Sequence, residues 1–428
     1  EVDGHGGARR RRLLEQETEN LLTVVRAGLA TEPLVATVLE RALRGLLVLE
    51  PVLSTRGPFQ VHLMLLDAGL SAPAIEEVDV LLRAQVLESR GRVRRARGLN
   101  EESLADLEHA LRLARTAGDE YWVLRTLANI GTHHVLAGQL SLAEAIYDEI
   151  VPLMRRVDDR RLEGRSYSFL GTLRRRQGLL AEAQSCYERA LVMHRQEGDR
   201  RYEGITLGEL ATMLIAQRKG HEGARLLEEA LSIHQEVGNK RFEGTVLHEL
   251  ARLRLEEGQL DDAQRHATQA LSLYRDVIDR AGEGRVRTRL GEVLARQHRL
   301  EDAREQFDRA AALFQRSGET VETVVCLTQC ATVEAALGHR ALAQASYEDA
   351  AALAAPLADP VVRRALDECR AFLTASAPAP ESALSTTKGS TPAAAGATAR
   401  SPEGKPPNLR LLQAAMRKWK ALRRPRPR

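Results

Sequence analysis

The residue types that could support catalysis or metal binding occur at only a few places in this chain. Cys326 and Cys330 lie four residues apart on a predicted helix, which would put both sulfur atoms on one face. Two thiolates supply only half of a usual zinc site, so packing as small apolar side chains is the favoured interpretation. Ser385 and Lys388 have Ser-x-x-Lys spacing. The surrounding segment is predicted to be unfolded, however, so no pocket would activate the hydroxyl.

No other familiar catalytic or nucleotide-binding pattern is present. His133 and His134 are adjacent and would point to different faces of a helix, and there is no His-Glu-x-x-His, Gly-x-Ser-x-Gly or Gly-x-x-x-x-Gly-Lys-Ser/Thr run. Four scattered cysteines do not make a disulfide framework, which favours a reducing compartment such as the cytoplasm. The sequence has neither an apolar run of about 20 residues nor a signal peptide. We therefore expect a non-enzymatic cytoplasmic protein without cofactor or metal.

Composition predicts a helical protein whose positive charge is local. Aromatic residues make up 4% of the chain and hydrophobic residues 43%, which is typical of helices that pack through small side chains. The net charge is +3, but nine basic residues and no acidic one lie between Lys405 and Arg428, which leaves −6 for the remainder. The basic character of the chain is therefore confined to its C-terminal end, where a polyanion would bind.

A short turn recurs six times at a period of forty residues and organises most of the sequence. The turns are Gly118-Asp119, Asp158-Asp159, Gly198-Asp199, Gly238-Asn239, Ile278-Asp279 and Gly318-Glu319. Between two turns, two stretches have apolar residues at helical spacing, for example Leu207, Leu210 and Leu214, then Leu227 and Ala230. Gly can end one helix in the left-handed conformation, and Asp can accept from the first amides of the next. Each unit is therefore predicted to be a helical hairpin that buries its apolar faces against its neighbours.

The pattern within a unit resembles the tetratricopeptide repeat. Leu170-Gly171, Ala183, Tyr187 and Ala190 match that family's large-small pair, alanine, aromatic and second alanine in order and spacing. Other units depart from it at Gly223, Ala267 and Ile150, the family's helix-ending proline is absent, and each unit is forty residues long instead of about 34. The resemblance implies an all-α fold, a right-handed superhelical solenoid of antiparallel helix pairs.

The forty-residue register also predicts the organisation of the chain. The predicted segments are a disordered basic N-terminus (1–12), a divergent helical segment (13–78), seven helical hairpins (79–358), a capping helix (359–374), a disordered Ala/Pro/Ser/Thr linker (375–407) and a basic amphipathic helix or tail (408–428). The first hairpin is degenerate.

The divergent segment contains a second resemblance. Leu14, Glu17, Asn20 and Leu21 form a Leu-x-x-Glu-x-x-Asn-Leu run that is similar to the junction before the repeat array in bacterial signal-transducing NTPases of the STAND type, including NB-ARC regulators. That resemblance implies that the chain is the sensor end of a longer regulator. A chain that begins at Glu1 instead of Met agrees with this expectation. Irregular capping hairpins are the alternative.

In tetratricopeptide arrays the first helices line a concave groove, so the resemblance also nominates a binding surface. The corresponding residues are Arg125, Arg165, Thr172, Arg175, Thr212, Ile215, His248, Arg252, Leu255, Thr288, Glu292 and Arg296. Arginines outnumber acids in this set, and Arg165 and Arg175 could clamp carboxylates in two-pronged geometry. We therefore expect a protein or peptide ligand, with an acidic segment or chain terminus as the best fit, and no small-molecule substrate.

Cations and carboxylates also recur together at the starts of the first helices. Arg160, Arg200, Lys240 and Arg280 each stand three residues before a glutamate. Charges at this spacing pair locally on a helix for a few tenths of a kcal/mol, which is the simpler interpretation. Alignment of the pairs into a polar strip along the array is the alternative.

The C-terminal tail has a binding potential of its own. Leu409, Leu412, Met416 and Trp419 fall on one helical stripe of a basic segment. The candidate binding residues of this tail are Arg417, Lys418, Trp419, Lys420, Arg423 and Arg424. Such a helix could contact an anionic membrane, nucleic acid or a partner's groove, or fold back on the acidic array; a solvated tail is the alternative.

These patterns together predict a non-enzymatic scaffold that binds a protein or peptide, the sensor or interaction region of a bacterial cytoplasmic signalling or transcriptional regulator. A free-standing adaptor, targeted to membrane or nucleic acid by its tail, is the alternative. An enzyme with an unrecognised site is a third hypothesis, which an open solenoid disfavours because it rarely offers a closed pocket.

Overall fold

The computed structural model describes residues 13–56, 59–357 and 359–375. All regular elements in these ranges are helices. The chain divides between Val286 and Arg287 into two compact units, called unit 1 and unit 2. The predicted N-terminal disorder and the predicted tail lie outside the described residues. So does the predicted linker, apart from Ala375.

Unit 1 begins with three helices that precede the repeats. They are α1 (Thr18–Leu29), α2 (Ala36–Arg56) and α3 (Phe59–Leu70), and a 3-10 helix over Pro73–Glu77 follows them. Their leucines form one apolar core, which also includes residues of the first repeat helix and Val277, in the turn after the fifth hairpin.

The repeat helices follow in antiparallel pairs. They are α4 (Val80–Ala96), α5 (Asn100–Ala117), α6 (Glu120–Leu136), α7 (Leu140–Val157), α8 (Arg160–Arg176), α9 (Leu180–Glu197), α10 (Arg200–Ala216), α11 (Gly220–Glu236), α12 (Lys240–Glu257), α13 (Leu260–Asp276), α14 (Arg280–Arg296), α15 (Leu300–Ser317), α16 (Thr320–Leu337) and α17 (Arg340–Ala354). The helix α18 (Pro360–Ala375) packs on α16 and α17 in unit 2. Within each unit the architecture is that of an all-α solenoid of helical hairpins.

The recurrent turns end and begin these helices as their residue types predict. Gly198 ends α9 with a φ of 62°, and Asp158 ends α7 with a φ of 47°, both in the left-handed region. Asp159 Oδ1 accepts from the Leu162 N–H at 2.8 Å and so caps α8. Asp199 is different, because its side chain does not cap α10. One turn position therefore has two structural roles.

Small residues allow rings to pack against the first helices. A Cβ on Gly171 would lie 2.7 Å from two ring carbons of Tyr187, which is fully buried. A second set of glycines receives rings from the ends of the second helices, where Gly164 faces His194 and Gly204 faces His234. These small residues therefore allow the paired helices to approach closely.

Unit 2 is built on the same principle. Phe307 packs against Gly291, and a Cβ there would lie 2.7 Å from the ring. Cys326 and Cys330 are both buried, and burial raises the pKa of each thiol, that of Cys326 to about 12. Cys330 donates to Asp308 at 3.1 Å. The two thiols are thus held neutral within the packed helices.

None of the helices in the described residues combines the length and apolar character needed to cross a membrane. The same part of the chain contains no group of three or more His, Cys, Asp or Glu side chains arranged to hold a metal ion.

Candidate functional site

Four of the nominated groove arginines in unit 1 are ion-paired with carboxylates of the array. Arg125 donates to both oxygens of Glu88 at 3.3 Å, and Arg165 donates twice to Asp199 Oδ2, at 2.8 and 3.1 Å. The other two have partners on first helices of the array: Glu209 for Arg175, at 2.8 Å, and both Glu249 and Glu256 for Arg252, at 2.9 Å. These cations therefore stabilise the array before any ligand arrives.

The remaining nominated residues in unit 1 are only partly available. Thr172 accepts a hydrogen bond from the Tyr187 hydroxyl at 3.2 Å, and Thr212 donates to the Gly208 carbonyl at 2.9 Å. Ile215 and Leu255 are only 8% and 4% exposed. These two apolar side chains pack in the helix interface, which leaves the polar positions, including the half-buried His248, as the ones a ligand could reach.

The three nominated residues of unit 2 have separate surroundings. Thr288 lies 3.3 Å from the sulfur of Cys326. Glu292 is buried and pairs with Arg289, while Arg296 is half-buried. In this unit the nominated set offers one half-buried cation next to a carboxylate that is already paired.

The repeated charges at the starts of the first helices pair mostly within the hairpin, beyond their own helical turn. Arg160 donates to Gln196 at 3.2 Å and Lys240 pairs with Asp276 at 2.9 Å, in each case joining the start of the first helix to the end of the second. Only Arg200, among the described pairs, also bonds its local Glu203, at 2.6 Å. Local pairing is thus present at Arg200, and antiparallel packing adds contacts across the hairpin because it brings the two helix ends together.

A concentration of charge in unit 1 surrounds Tyr202 on α10, a residue that the sequence analysis did not nominate. The guanidinium carbon of Arg165 lies 4.1 Å from the centre of the Tyr202 ring, and that of Arg201 lies 6.0 Å from it. Burial alone would raise the pKa of Tyr202, but Arg165, Arg92 and Arg201 lower it below its ordinary value. The phenol therefore reports a strongly positive environment.

Two further arginines from the first repeat helix reach this region. Arg92 on α4 bonds Glu50 of α2 at 2.7 Å. Arg95 donates only to the carbonyl and side-chain oxygens of Asn129, at 3.3 and 3.5 Å. Burial and the neighbouring Arg92 lower the pKa of Arg95 to about 10. Within the described part of the chain, Arg95 is thus a cation held among cations with no carboxylate bonded to it.

We call this set the Tyr202 cluster: Tyr202 with the guanidinium groups of Arg92, Arg95, Arg125, Arg165 and Arg201 and the carboxylates of Glu50, Glu88 and Asp199. The cations outnumber the carboxylates. Arg201 has no carboxylate partner among the described residues, and its buried Nε has no hydrogen-bond acceptor there. Because α4, α6, α8 and α10 all contribute, the cluster lies on the inner side of the curved row of first helices.

The position of Arg201 in the cluster could have been predicted from a periodic pattern in the sequence. Arg161, Arg201 and Arg241 recur at a forty-residue spacing, so a column of cations one residue after each helix start was visible. Glu50 left no signal, since it lies outside the repeat register.

The geometry defines a class of protein: an all-α scaffold of stacked helical hairpins with a charged inner face. The sequence profile of the tetratricopeptide repeat matches residues 82–156, 129–196, 202–276 and 283–355, which together cover more than half of the chain. The chain belongs to the tetratricopeptide repeat family.

Solved structures with a similar fold include a STAND protein and two Rap proteins. A STAND protein with a tetratricopeptide repeat sensor from Pyrococcus horikoshii is 16% identical, with a TM-score of 0.52, and the match covers 84% of this chain and 55% of that one. A Rap protein complexed with competence and sporulation factor is 15% identical, with a TM-score of 0.52 over 68% of this chain and 87% of that one. The apo form of RapI has the same score at 12% identity, over 68% and 82%. No curated protein matches the chain.

Proposed function

We propose that this protein is a non-enzymatic scaffold that binds an acidic segment of a protein or peptide on the inner face of unit 1. The observation that carries the proposal is the excess of cations in the Tyr202 cluster. Among the described residues no carboxylate is directly bonded to Arg95 or Arg201, and Glu88 and Glu50 act on them only at longer range. A carboxylate that bonded either guanidinium would gain a charge-assisted contact that the array itself leaves unmade.

The setting strengthens such a contact. Tyr202 and the neighbouring helices screen the guanidinium groups from water, and attraction between charges is stronger where water is excluded. The Arg165 guanidinium lies over the Tyr202 ring, and this contact holds that cation in the cluster.

The proposed biological setting is the sensor or interaction region of a bacterial cytoplasmic signalling or transcriptional regulator. Support comes from the Leu14 to Leu21 run before the array and from a fold that is shared with a STAND protein with a repeat sensor and with a Rap protein complexed with competence and sporulation factor. The alternative of an adaptor targeted by its tail depends on Arg417, Lys418, Trp419, Lys420, Arg423 and Arg424, all outside the described residues.

The test compares Arg201→Glu with Arg225→Glu in an affinity capture from the native cytoplasm, followed by mass spectrometry. Both changes reverse one charge in the same hairpin, but Arg225 is exposed on α11, the second helix. We expect the intact chain and Arg225→Glu to capture the same acidic protein and Arg201→Glu to lose it. Identical capture by all three would exclude the inner face as the binding surface.

A further inference from the structure

The N-terminal helices occupy part of the inner face that the proposed ligand would need. Glu50 extends from α2 into the Tyr202 cluster, where its carboxylate bonds Arg92 at 2.7 Å. Both partners are largely buried, with 15% of the Glu50 side chain and 16% of the Arg92 side chain exposed. Although burial opposes ionisation, Arg92, Arg125 and Arg201 hold the pKa of Glu50 below its usual value. The cluster therefore already contains one carboxylate from outside the repeats.

The same helices contact the array at two places far apart in sequence. Their apolar core includes Val86 and Val93 of α4, in the first hairpin, and also Val277, after the fifth. In addition, α2 contacts α12. A segment that contacts both the first and the fifth hairpin of a curved row bridges its inner side. Glu50 is thus placed in the groove by a helix that crosses it.

His62 of α3 is buried next to Glu50 and is itself uncharged. Burial lowers the pKa of His62 to about 4, even though Glu50 acts to raise it. Arg92 opposes protonation from the other side. With His62 uncharged, the ionised Glu50 is not neutralised by the buried imidazole beside it and faces the arginines of the cluster.

We propose that Glu50 is a built-in occupant of the acidic-ligand site, so that α2 competes in cis with an acidic segment of a partner protein. This inference rests on the proposed function and adds one contact to it: the partner's carboxylates bond Arg95 or Arg201 and, when α2 is released, also take the place of Glu50 at Arg92. The contact supplies what an external carboxylate would supply, a charge-assisted bond to a guanidinium of the cluster. Binding of the partner is then coupled to release of α2 from Arg92: the apparent affinity for the partner is the intrinsic affinity multiplied by the fraction of molecules in which α2 is released.

The experiment uses the full chain and a synthetic oligoglutamate of twelve residues as the probe. The test variant is Glu50→Gln and the matched control is Glu40→Gln. Glu40 lies on the same helix, but it accepts from the Asp79 N–H at 3.2 Å, outside the cluster. Affinity is measured by fluorescence anisotropy, and hydrogen exchange of residues 36–56 is followed with and without the probe. Thermal unfolding of each variant checks that the fold is kept.

We expect Glu50→Gln to bind the probe about tenfold more tightly than the intact chain, Glu40→Gln to bind like the intact chain, and the probe to speed exchange in residues 36–56. Equal affinity in all three chains, with binding abolished by Arg201→Glu and exchange in α2 unaffected, would overturn the competition and leave the proposed ligand site standing. No binding to any chain would overturn the acidic-ligand site, and the competition with it.

Discussion

At the scale of single residues, the glycine at position 171 is required by the ring that packs against it. A Cβ there would lie 2.7 Å from the Tyr187 ring, and the ring cannot retreat because it is fully buried and its hydroxyl bonds Thr172. We predict that Gly171→Ala loses about 1–3 kcal/mol of unfolding free energy relative to Gly208→Ala, measured by urea denaturation. Gly208 is the control because no heavy atom lies within 4 Å of its added Cβ, so only helix propensity changes. Equal stability of the two variants would contradict the packing.

Buried imidazoles make the array sensitive to acid. Burial lowers the pKa of His194 to about 4 and that of His234 to about 3, from the ordinary value of 6.5. The unfolded chain therefore binds protons that the folded chain does not. The unfolding free energy that these two groups permit is complete above the unfolded pKa of 6.5 and falls as the pH drops from there toward the folded values.

We predict that His234→Phe removes part of that loss. The equivalent positions of the next two hairpins hold Tyr274 and Phe314, and Gly204 gives the ring room. Each buried imidazole contributes a slope of up to about 1.4 kcal/mol per pH unit between its two pKa values. Urea denaturation between pH 7 and pH 4 should therefore show a shallower decline for the variant. An unchanged decline would show that acid sensitivity arises elsewhere.

At the scale of helices and turns, the aspartate of the recurrent turn performs different tasks in successive units. Asp159 caps its own helix, whereas Asp199 is 1% exposed and accepts two bonds from Arg165 of the preceding hairpin. We predict that Asp159→Ala costs about 1 kcal/mol of unfolding free energy, the usual loss of a cap. Asp199→Ala should cost about 2 to 3 kcal/mol, because it leaves Arg165 without its carboxylate.

The two aspartate variants also differ in a local observable. Hydrogen exchange at the start of α8 should rise in Asp159→Ala, while Asp199→Ala should loosen the packing between α8 and α10. Similar losses in both variants, confined to the first turn of each helix, would mean that Asp199 acts only as a cap.

The same turns illustrate what the sequence pattern could predict about elements. Helix ends, hairpin pairing and the small-large columns follow from contacts within about forty residues, which a fixed period displays directly. The partner of Arg175 was not predictable in this way. Glu209 lies on the first helix of the following hairpin. Only the rotation between successive hairpins determines which of several nearby acids Arg175 contacts.

At the scale of the whole molecule, the last helix covers an apolar face that would otherwise be open. In α18, Val362, Cys369 and Phe372 are at most 4% exposed, and Arg370 donates to the Tyr347 hydroxyl at 2.7 Å. We predict that a chain ending at Leu357 loses on the order of 5 kcal/mol from unit 2, since three buried side chains and the face beneath them become wet. A chain ending at Ala375 is the control and should keep its stability. Circular dichroism during thermal unfolding measures both, and equal midpoints would show that α18 is dispensable.

The sequence by itself determined that this protein is an array of helical hairpins with a terminal cap, because repeat packing is local and recurs at a fixed spacing. Only the tertiary structure decided where the charges meet. Arg92 and Tyr202 belong to different hairpins, and curvature accumulated over several units brings them to one inner face. Glu50 reaches that face from a helix outside the register. No periodicity relates such residues, so the cluster that forms the candidate site depends on the path of the whole chain.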